Sequence, residues 1–237
     1  MLLKVQSVTH RFGGLVALND VKVSVAEGTI HGLIGPNGAG KTTLFNILSG
    51  SFRPTTGSLE FNGSDITRTS RHKRCALGIG RTYQVVQPFK GMSVEENVLV
   101  GCLVRTRQVD AAREVARDLL EQLGIGHLRH ADPLDLPLVL RKRLEVARAL
   151  ATQPRLLLLD EVMAGLNPVE IEEMLALIRE IRSGGVTVVI IEHLMHAISS
   201  VCDEVMVLNQ GKPIAAGTPK EVMAHPAVIE AYLGSEF

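Results

Sequence analysis

A lysine and two threonines close a glycine-rich run, Gly35-Pro36-Asn37-Gly38-Ala39-Gly40-Lys41-Thr42-Thr43, whose GxxxxGK[ST] spacing suits the gripping of a polyphosphate. Glycines let such a backbone curl until several N–H groups point inward at anionic oxygens, and a side chain at Gly38 or Gly40 is expected to fill that nest. A helix that starts here adds its unpaired N-terminal amides and roughly half a positive charge. Lys41 supplies an ammonium for the outer phosphates, and Thr42 a hydroxyl ligand for magnesium. Asp160 and Glu161 end the apolar run Leu156 to Leu159. That order suits one carboxylate, Asp160, holding a metal's hydration shell, and a second, Glu161, accepting or orienting the proton of an attacking water. Gln84 offers an amide to magnesium or water after the segment Ile79 to Tyr83. His193 follows Val186 to Ile191 and Glu192, which puts its imidazole at another strand tip on the edge where ligands of open α/β sheets collect. The other histidines lack a convincing ligand partner and read as structural.

The elements that must position these groups are legible in outline. Leu2 to Ser7 and Val21 to Val25 alternate like strands, and Glu27-Gly28 turns the chain into a strand from Ile30 to Ile34 that feeds the glycine run. A helix from Thr43 to Leu48 stops at Gly50, and Pro54, Gly57 and Gly63 punctuate two short strand-like pieces around Leu59 and Phe61. Ser93 with Glu96 forms a capping box ahead of Val94 to Leu99, Val109 to Leu123 has helical periodicity ended by Gly124, and Arg141 to Ala151 is a third helix. These helices read as a lobe inserted into an α/β domain. Leu156 to Asp160 has the length and unbroken apolar character of a parallel strand covered on both faces. A helix from Val169 to Arg182, a strand from Val186 to Ile191, a helix from Leu194, a strand from Glu204 to Leu208 and a turn at Gln210-Gly211 follow, and this alternation predicts a mostly parallel sheet.

Composition narrows the class. The 237 residues are 46% hydrophobic, ample for a buried core. Basic and acidic residues balance at 25 each and aromatics are 3%, which argues against nucleic acid gripped by net charge or by stacking. Cys75, Cys102 and Cys202 are odd in number and lack metal-ligand spacing, so free thiols in a reducing compartment are expected, with neither disulfide nor zinc. The longest apolar runs fall far short of the ~20 residues a spanning helix needs, and the opening residues lack the pattern of a secretory signal. A membrane is expected to be reached through another subunit.

Taken together, these positions resemble the ATP-binding cassette family over almost the whole chain. The resemblance implies a P-loop NTPase fold of the α/β class: a mostly parallel core sheet, an N-terminal antiparallel β subdomain and an inserted α-helical subdomain. It divides a single domain, 1–237, into a nucleotide-binding core, 1–84 and 152–237, and a helical signature subdomain, 85–151. It implies ATP and Mg2+ as ligands and gives each position a role: Phe12 stacks on adenine, Gly35 to Thr43 binds phosphate, and Gln84 connects the lobes. Asp160 holds the metal, Glu161 is the catalytic carboxylate, Ala164 to Asn167 touches a partner cassette, and His193 senses the γ-phosphate. A narrower resemblance is to the ATPase subunit of branched-chain amino acid importers. It rests on Arg11-Phe12-Gly13-Gly14-Leu15, Arg81-Thr82-Tyr83-Gln84, Met92-Ser93-Val94 with Glu96-Asn97-Val98, Ala164-Gly165-Leu166-Asn167-Pro168 and the tail Val228 to Gly234. It implies a second cassette, two membrane permeases, an extracytoplasmic binding protein met only indirectly, and a place on the cytoplasmic face of the cell membrane. Val85-Val86-Gln87-Pro88-Phe89 and the helical lobe are the expected permease-docking surface.

The pattern breaks at one place. The family's Leu-Ser-Gly-Gly-Gln signature aligns with Leu136-Pro137-Leu138-Val139-Leu140, where only the leucine survives. Pro137 has neither hydroxyl nor N–H, Val139 brings a branched side chain where close backbone approach is wanted, and Leu140 replaces an amide. Main-chain N–H groups at the helix start could still contact an anion. The break favours a heterodimer, in which a different cassette supplies an intact signature to this chain's ATP, over a homodimer. Rival readings are a lipopolysaccharide-export ATPase, whose relatives carry Leu-Pro where Tyr83 stands here, and a low-turnover regulatory subunit. A soluble cassette of DNA repair or translation would need tandem cassettes, coiled coils or zinc segments, and a small-molecule kinase leaves Gln84 and His193 unexplained.

Overall fold

The chain opens with a long antiparallel hairpin, β1 (Leu3–Phe12) and β2 (Leu15–Val25), in a computed structural model that describes residues 1–84 and 86–233. Val85 of the expected docking stretch and Gly234 of the tail lie outside the described residues. Both strands run further than their alternation suggests. Ser7 sits at φ 48 between register shifts, so the two-residue period is interrupted at the point where the pattern stops being readable. After β3 (Ile30–Ile34) and α1 (Lys41–Leu48) comes β4 (Thr56–Phe61), one strand where two pieces were expected. Leu59 and Phe61 are two residues apart and are buried on the same face. Asn62 and Gly63, at φ 50 and 77, turn the chain tightly into β5 (Ser64–Asp65).

A helix not read from the sequence, α2 (Arg71–Leu77), follows, and its one buried side chain explains its place. Arg74 is 1% exposed and donates to the Ile47 and Leu48 carbonyls at the end of α1, and to Ile66 and Thr69. A guanidinium there satisfies carbonyls that have no intrahelical partner and meets the negative end of α1. Beyond β6 (Ile79–Arg81) come α3 (Val94–Cys102), α4 (Val109–Gln122) and α5 (Leu138–Leu150). The Ser93–Glu96 capping box is present with both of its hydrogen bonds, and Gly124 at φ 70 stops the chain after α4. Helix α5 begins three residues earlier than expected, so Leu138, Val139 and Leu140 form its first turn. Then follow β7 (Leu156–Asp160), α6 (Pro168–Ser183), β8 (Thr187–Ile191), α7 (Met195–Val201), β9 (Glu204–Asn209), β10 (Lys212–Gly217), α8 (Pro219–Met223) and α9 (Pro226–Leu233).

Two sheets result, ordered β2-β1-β4-β5 and β10-β9-β3-β8-β7-β6. The first is antiparallel; in the second only the β9–β10 pair is antiparallel. Alternate residues of the central strands feed two cores. Leu157, Leu159, Val188, Ile190, Val205 and Val207 pack with the helices α3 to α6. Leu156, Leu158, Val189, Ile191, Met206 and Leu208 pack with α1 and the antiparallel sheet. The unbroken apolar runs are therefore strands with two covered faces.

His31 lies on β3, its Nδ1 3.6 Å from the exposed Glu204 carboxylate and its Nε2 buried without a hydrogen bond among the described residues. Burial of the ring pushes its pKa from 6.5 down to about 4. A neutral imidazole is thus part of the fold. Its contribution is complete above the unfolded-state value of 6.5 and is lost as pH falls toward 4, by roughly 3 kcal/mol at the limit. Thermal melts of the parent and of His31→Gln at pH 7.5 and pH 5 check this: the drop in Tm on acidification is expected to be smaller in the variant.

Candidate active site

The glycine run leaves β3 at Ile34 and enters α1 at Lys41, and its shape is set from behind. A Cβ at Gly35, φ 146, would lie 2.0 Å from the Leu208 carbonyl oxygen of β9. At Gly40, the left-handed N-cap of α1, a Cβ would press on the Ala17 carbonyl at 2.7 Å and the Leu18 side chain at 2.8 Å. At Gly38, φ 76, it would meet nothing within 4 Å. A side chain at Gly38 would therefore enter open space beside the loop, and one at Gly40 would collide with β2. Gly40 is required by the β2 backbone, and Gly38 by its dihedral alone. Ala39 is buried and locked by its N–H to the Pro36 carbonyl and its carbonyl to the Gly211 N–H, while Asn37 and Thr42 are exposed and Thr43 half-buried. Lys41 is 6% exposed and donates to the Gly35 and Pro36 carbonyls at 2.7 and 3.0 Å. Burial lowers its pKa, and the nearby charges of Glu161 and Asp160 oppose that shift.

Three strand ends meet this loop. Glu161 leaves β7 and is gripped from two sides: Gln84 Nε2 donates to Oε2 at 2.6 Å, and His193 Nε2 lies 2.8 Å from Oε1. The structure thus brings together three residues separated by 77 and 32 positions. Asp160 is 4% exposed and its Oδ2 accepts from Arg81 Nη2 at 2.8 Å. Burial raises the Asp160 pKa, and Arg81 opposes the rise. Arg81 also donates to Asn46 of α1 and to Ser49 just past its end, which ties the strand before Gln84 to the helix after the loop. Sequence reasoning gave Arg81 no role; the available signal was a basic residue inside an otherwise apolar extended segment, which burial obliges to find an acid.

Thr42, Gln84 and Asp160 line one open groove. Their hydroxyl, amide and carboxylate oxygens are donors that magnesium accepts, and no group of three His, Cys, Asp or Glu able to hold a metal occurs among the described residues. The donor set therefore fits a metal held chiefly by water and phosphate rather than by a protein cage.

Phe12, at the hairpin tip, is 45% exposed and braced edge-on by His10 and Phe52 at 4.6 and 5.5 Å between ring centres. Of the altered signature, Leu136 is buried, Pro137 is the N-cap of α5 without a side-chain bond, and Val139 and Leu140 are half-buried. Leu138 is 47% exposed and reaches toward Gly165, where an added Cβ would sit 3.1 Å from its Cδ2. Asn167, at the end of that loop, caps α6 by accepting from the Val169 and Glu170 N–H groups.

The loop geometry separates two of its glycines, Gly35 and Gly38. Gly38→Ala is expected to cost about 1–2 kcal/mol, the penalty of a left-handed L-residue, and to stay folded. Gly35→Ala, which sets a methyl against the Leu208 carbonyl, is expected to lower the denaturation midpoint much further, and urea melts of the two variants check the order.

Comparison with known proteins gives this geometry a context. Residues 18–164 match the ABC transporter family, and residues 212–237 match the family described as branched-chain amino acid ATP-binding cassette transporter. The chain is 41% identical to the high-affinity branched-chain amino acid transport ATP-binding protein BraF of Pseudomonas aeruginosa, over 98% of each chain. It is 37% identical to the lipopolysaccharide export system ATP-binding protein LptB of Acidithiobacillus ferridurans, over 100% of this chain and 98% of that one. A solved ATP-binding cassette of an ABC transporter in its ADP conformation superposes with a TM-score of 0.90 at 32% identity, covering 98% of each chain. The chain therefore belongs to the ABC transporter family, as one of its nucleotide-binding ATPase cassettes.

Proposed function

We propose that this chain is the ATP-hydrolysing subunit of an importer of branched-chain amino acids or related small amides or acids. The observation that carries the hydrolytic reading is Glu161, held between Gln84 and His193 beside the phosphate loop. Lys41 and the inward main-chain amides bind and orient the triphosphate, and Phe12 offers its open face to the adenine. Glu161 takes the proton of the attacking water, with His193 and Gln84 fixing its carboxylate. Thr42, Asp160 and Gln84 would hold magnesium, which would supply charge neutralisation for the phosphates. The importer rather than the exporter is favoured by the match of residues 212–237 to the branched-chain amino acid family, although LptB is also similar over the full chain.

Its partners follow from the same reading. A groove of about 770 Å³ runs between α1, β6 and the helices of residues 85–151, lined by Tyr83, Gln84, Phe89, Val100, Val104 and Arg148. Phe89 is pinned at its rim by Asn97, which accepts from its N–H, and by the Arg148 guanidinium 4.5 Å from its ring centre. The part of this groove formed by Phe89, Val100 and Val104, rather than that formed by Thr42 and Asp160, is where a permease segment docks, and the chain reaches the cytoplasmic face of the cell membrane through two such permeases. No helix among the described residues is long and apolar enough to cross a membrane. A substrate-binding protein outside the membrane communicates only through the permeases. The altered signature from Leu136 to Leu140 favours a second, different cassette as the dimer partner.

Two measurements test these readings. Glu161→Gln is expected to lower ATP turnover by roughly 10²–10⁴-fold while ATP and ADP still bind; unchanged turnover would remove Glu161 from the chemistry. Turnover per chain is expected to be low for the purified protein alone and to rise when a cassette with an intact signature is added. Equal, vigorous turnover in the homodimer would overturn the heteromeric pairing.

A further inference from the structure

Glu161 has a backbone conformation that an L-residue rarely keeps, φ 50, and three bonds from outside its own turn hold the segment there. Its N–H donates to the Ile191 carbonyl at 3.0 Å, and its carbonyl accepts from Lys142 Nζ at 2.8 Å. Two residues on, the Met163 N–H donates to Glu192 Oε1 at 2.8 Å. Strained dihedrals persist only where the surroundings over-determine them. We propose that Lys142 and Glu192 are positioning residues that clamp the Glu161 turn, so that its carboxylate faces Gln84 and His193.

Both side chains are placed for that task and for little else. Lys142 is 5% exposed and Glu192 2%, so neither serves as surface charge. Each grips main chain of the Glu161–Met163 segment, one by its carbonyl and the other by an N–H. Burial pushes the Glu192 pKa up to about 7 and the Lys142 pKa down, and each shift is opposed by the charge of the other residue. Removing one charge strands the other inside the protein, which is the costly way to break a buried pair. The clamp also joins three elements. Lys142 belongs to α5, five residues beyond the N-cap Pro137, and Glu192 directly precedes His193. The lobe that bears the altered signature is thereby fastened to the turn that carries this chain's own catalytic carboxylate.

The inference rests on Glu161 as the base in hydrolysis, and the experiment separates the two. In the full chain with its partner cassette, ATP turnover, ADP affinity by calorimetry and Tm are measured for Lys142→Met, Lys142→Arg, Glu192→Gln, Glu161→Gln and the Lys142→Met/Glu161→Gln double variant. Misplacing a catalytic group by about 1 Å can cost about 10²-fold, so Lys142→Met is expected to lose turnover on that order with ADP affinity unchanged. Lys142→Arg is expected to recover most of the loss. In the Glu161→Gln background Lys142→Met is expected to add nothing, because groups that act as one unit are not additive. An undiminished kcat in Lys142→Met, or a loss that multiplies with Glu161→Gln, overturns the clamp while leaving Glu161 in place. Full turnover in Glu161→Gln overturns the base assignment itself. Should Lys142→Met fail to fold, the isosteric Glu192→Gln decides: lowered turnover at unchanged ADP affinity supports the clamp, and unchanged turnover overturns it.

Discussion

The register of the parallel strands is the constraint on which the site depends. Leu33 of β3 and Asp160 of β7 are both level with Ile191 of β8, so β7 and β8 end together and β3 one residue later. Glu161 and Glu192 therefore leave the sheet at the level of Ile34, the last residue of β3, and Gly35 and His193 follow one step beyond. Hydrogen bonds between parallel strands set that level, and a slip of one residue would turn every side chain to the opposite core. The same register explains why residue 35 is a glycine. Strand β9 pairs Ile34 with Val207, and the next carbonyl, that of Leu208, occupies the space where a Cβ would stand.

Collecting strand ends at one edge also collects charge. Asp160, Glu161 and Glu192 converge there, and a cluster of carboxylates this close repels itself unless cations are interleaved. Arg81 answers Asp160 directly, Lys142 faces Glu192 from α5, and Lys41 lies within the fields of Asp160 and Glu161. The cations come from three different elements, α1, β6 and α5, so the balance exists only once helical lobe, phosphate loop and sheet are packed together. Lys41 is also folded back on the Gly35 and Pro36 carbonyls, which keeps its ammonium satisfied at the position from which it would meet phosphate.

Much of this was legible because it is local. The phosphate loop is nine consecutive residues, β7 is a run of four leucines closed by a carboxylate, and the Ser93–Glu96 box needs only four positions. What escaped was non-local or interrupted. The first hairpin was read short because a bulge at Ser7 breaks its period. Helix α2 has one buried residue, too few for a periodic signal, and its purpose is visible only when Arg74 is seen on the carbonyls of α1. Arg81, Lys142 and Glu192 pair across 79, 19 and 29 positions, distances at which a sequence offers charge but no partner. The glycines were read as glycines for the right loop, but the atoms that demand two of them belong to β2 and β9.

The altered signature is best understood by what a helix N-terminus provides without side chains. The first amides of α5 have no partner within the helix, and together they carry about half a positive charge whatever residues bear them. Pro137 withholds one N–H at the cap and offers no side-chain acceptor, while Leu138 brings an apolar side chain close to Gly165. What this surface can give to a neighbouring nucleotide is therefore a weak, undirected field. Glu161, by contrast, is fixed by Gln84, His193, Lys142 and the Ile191 carbonyl. Catalysis in a dry site follows preorganised groups far more than diffuse ones. The side-chain hydrogen bonds of this region are thus concentrated on Glu161 rather than on the uncapped start of α5.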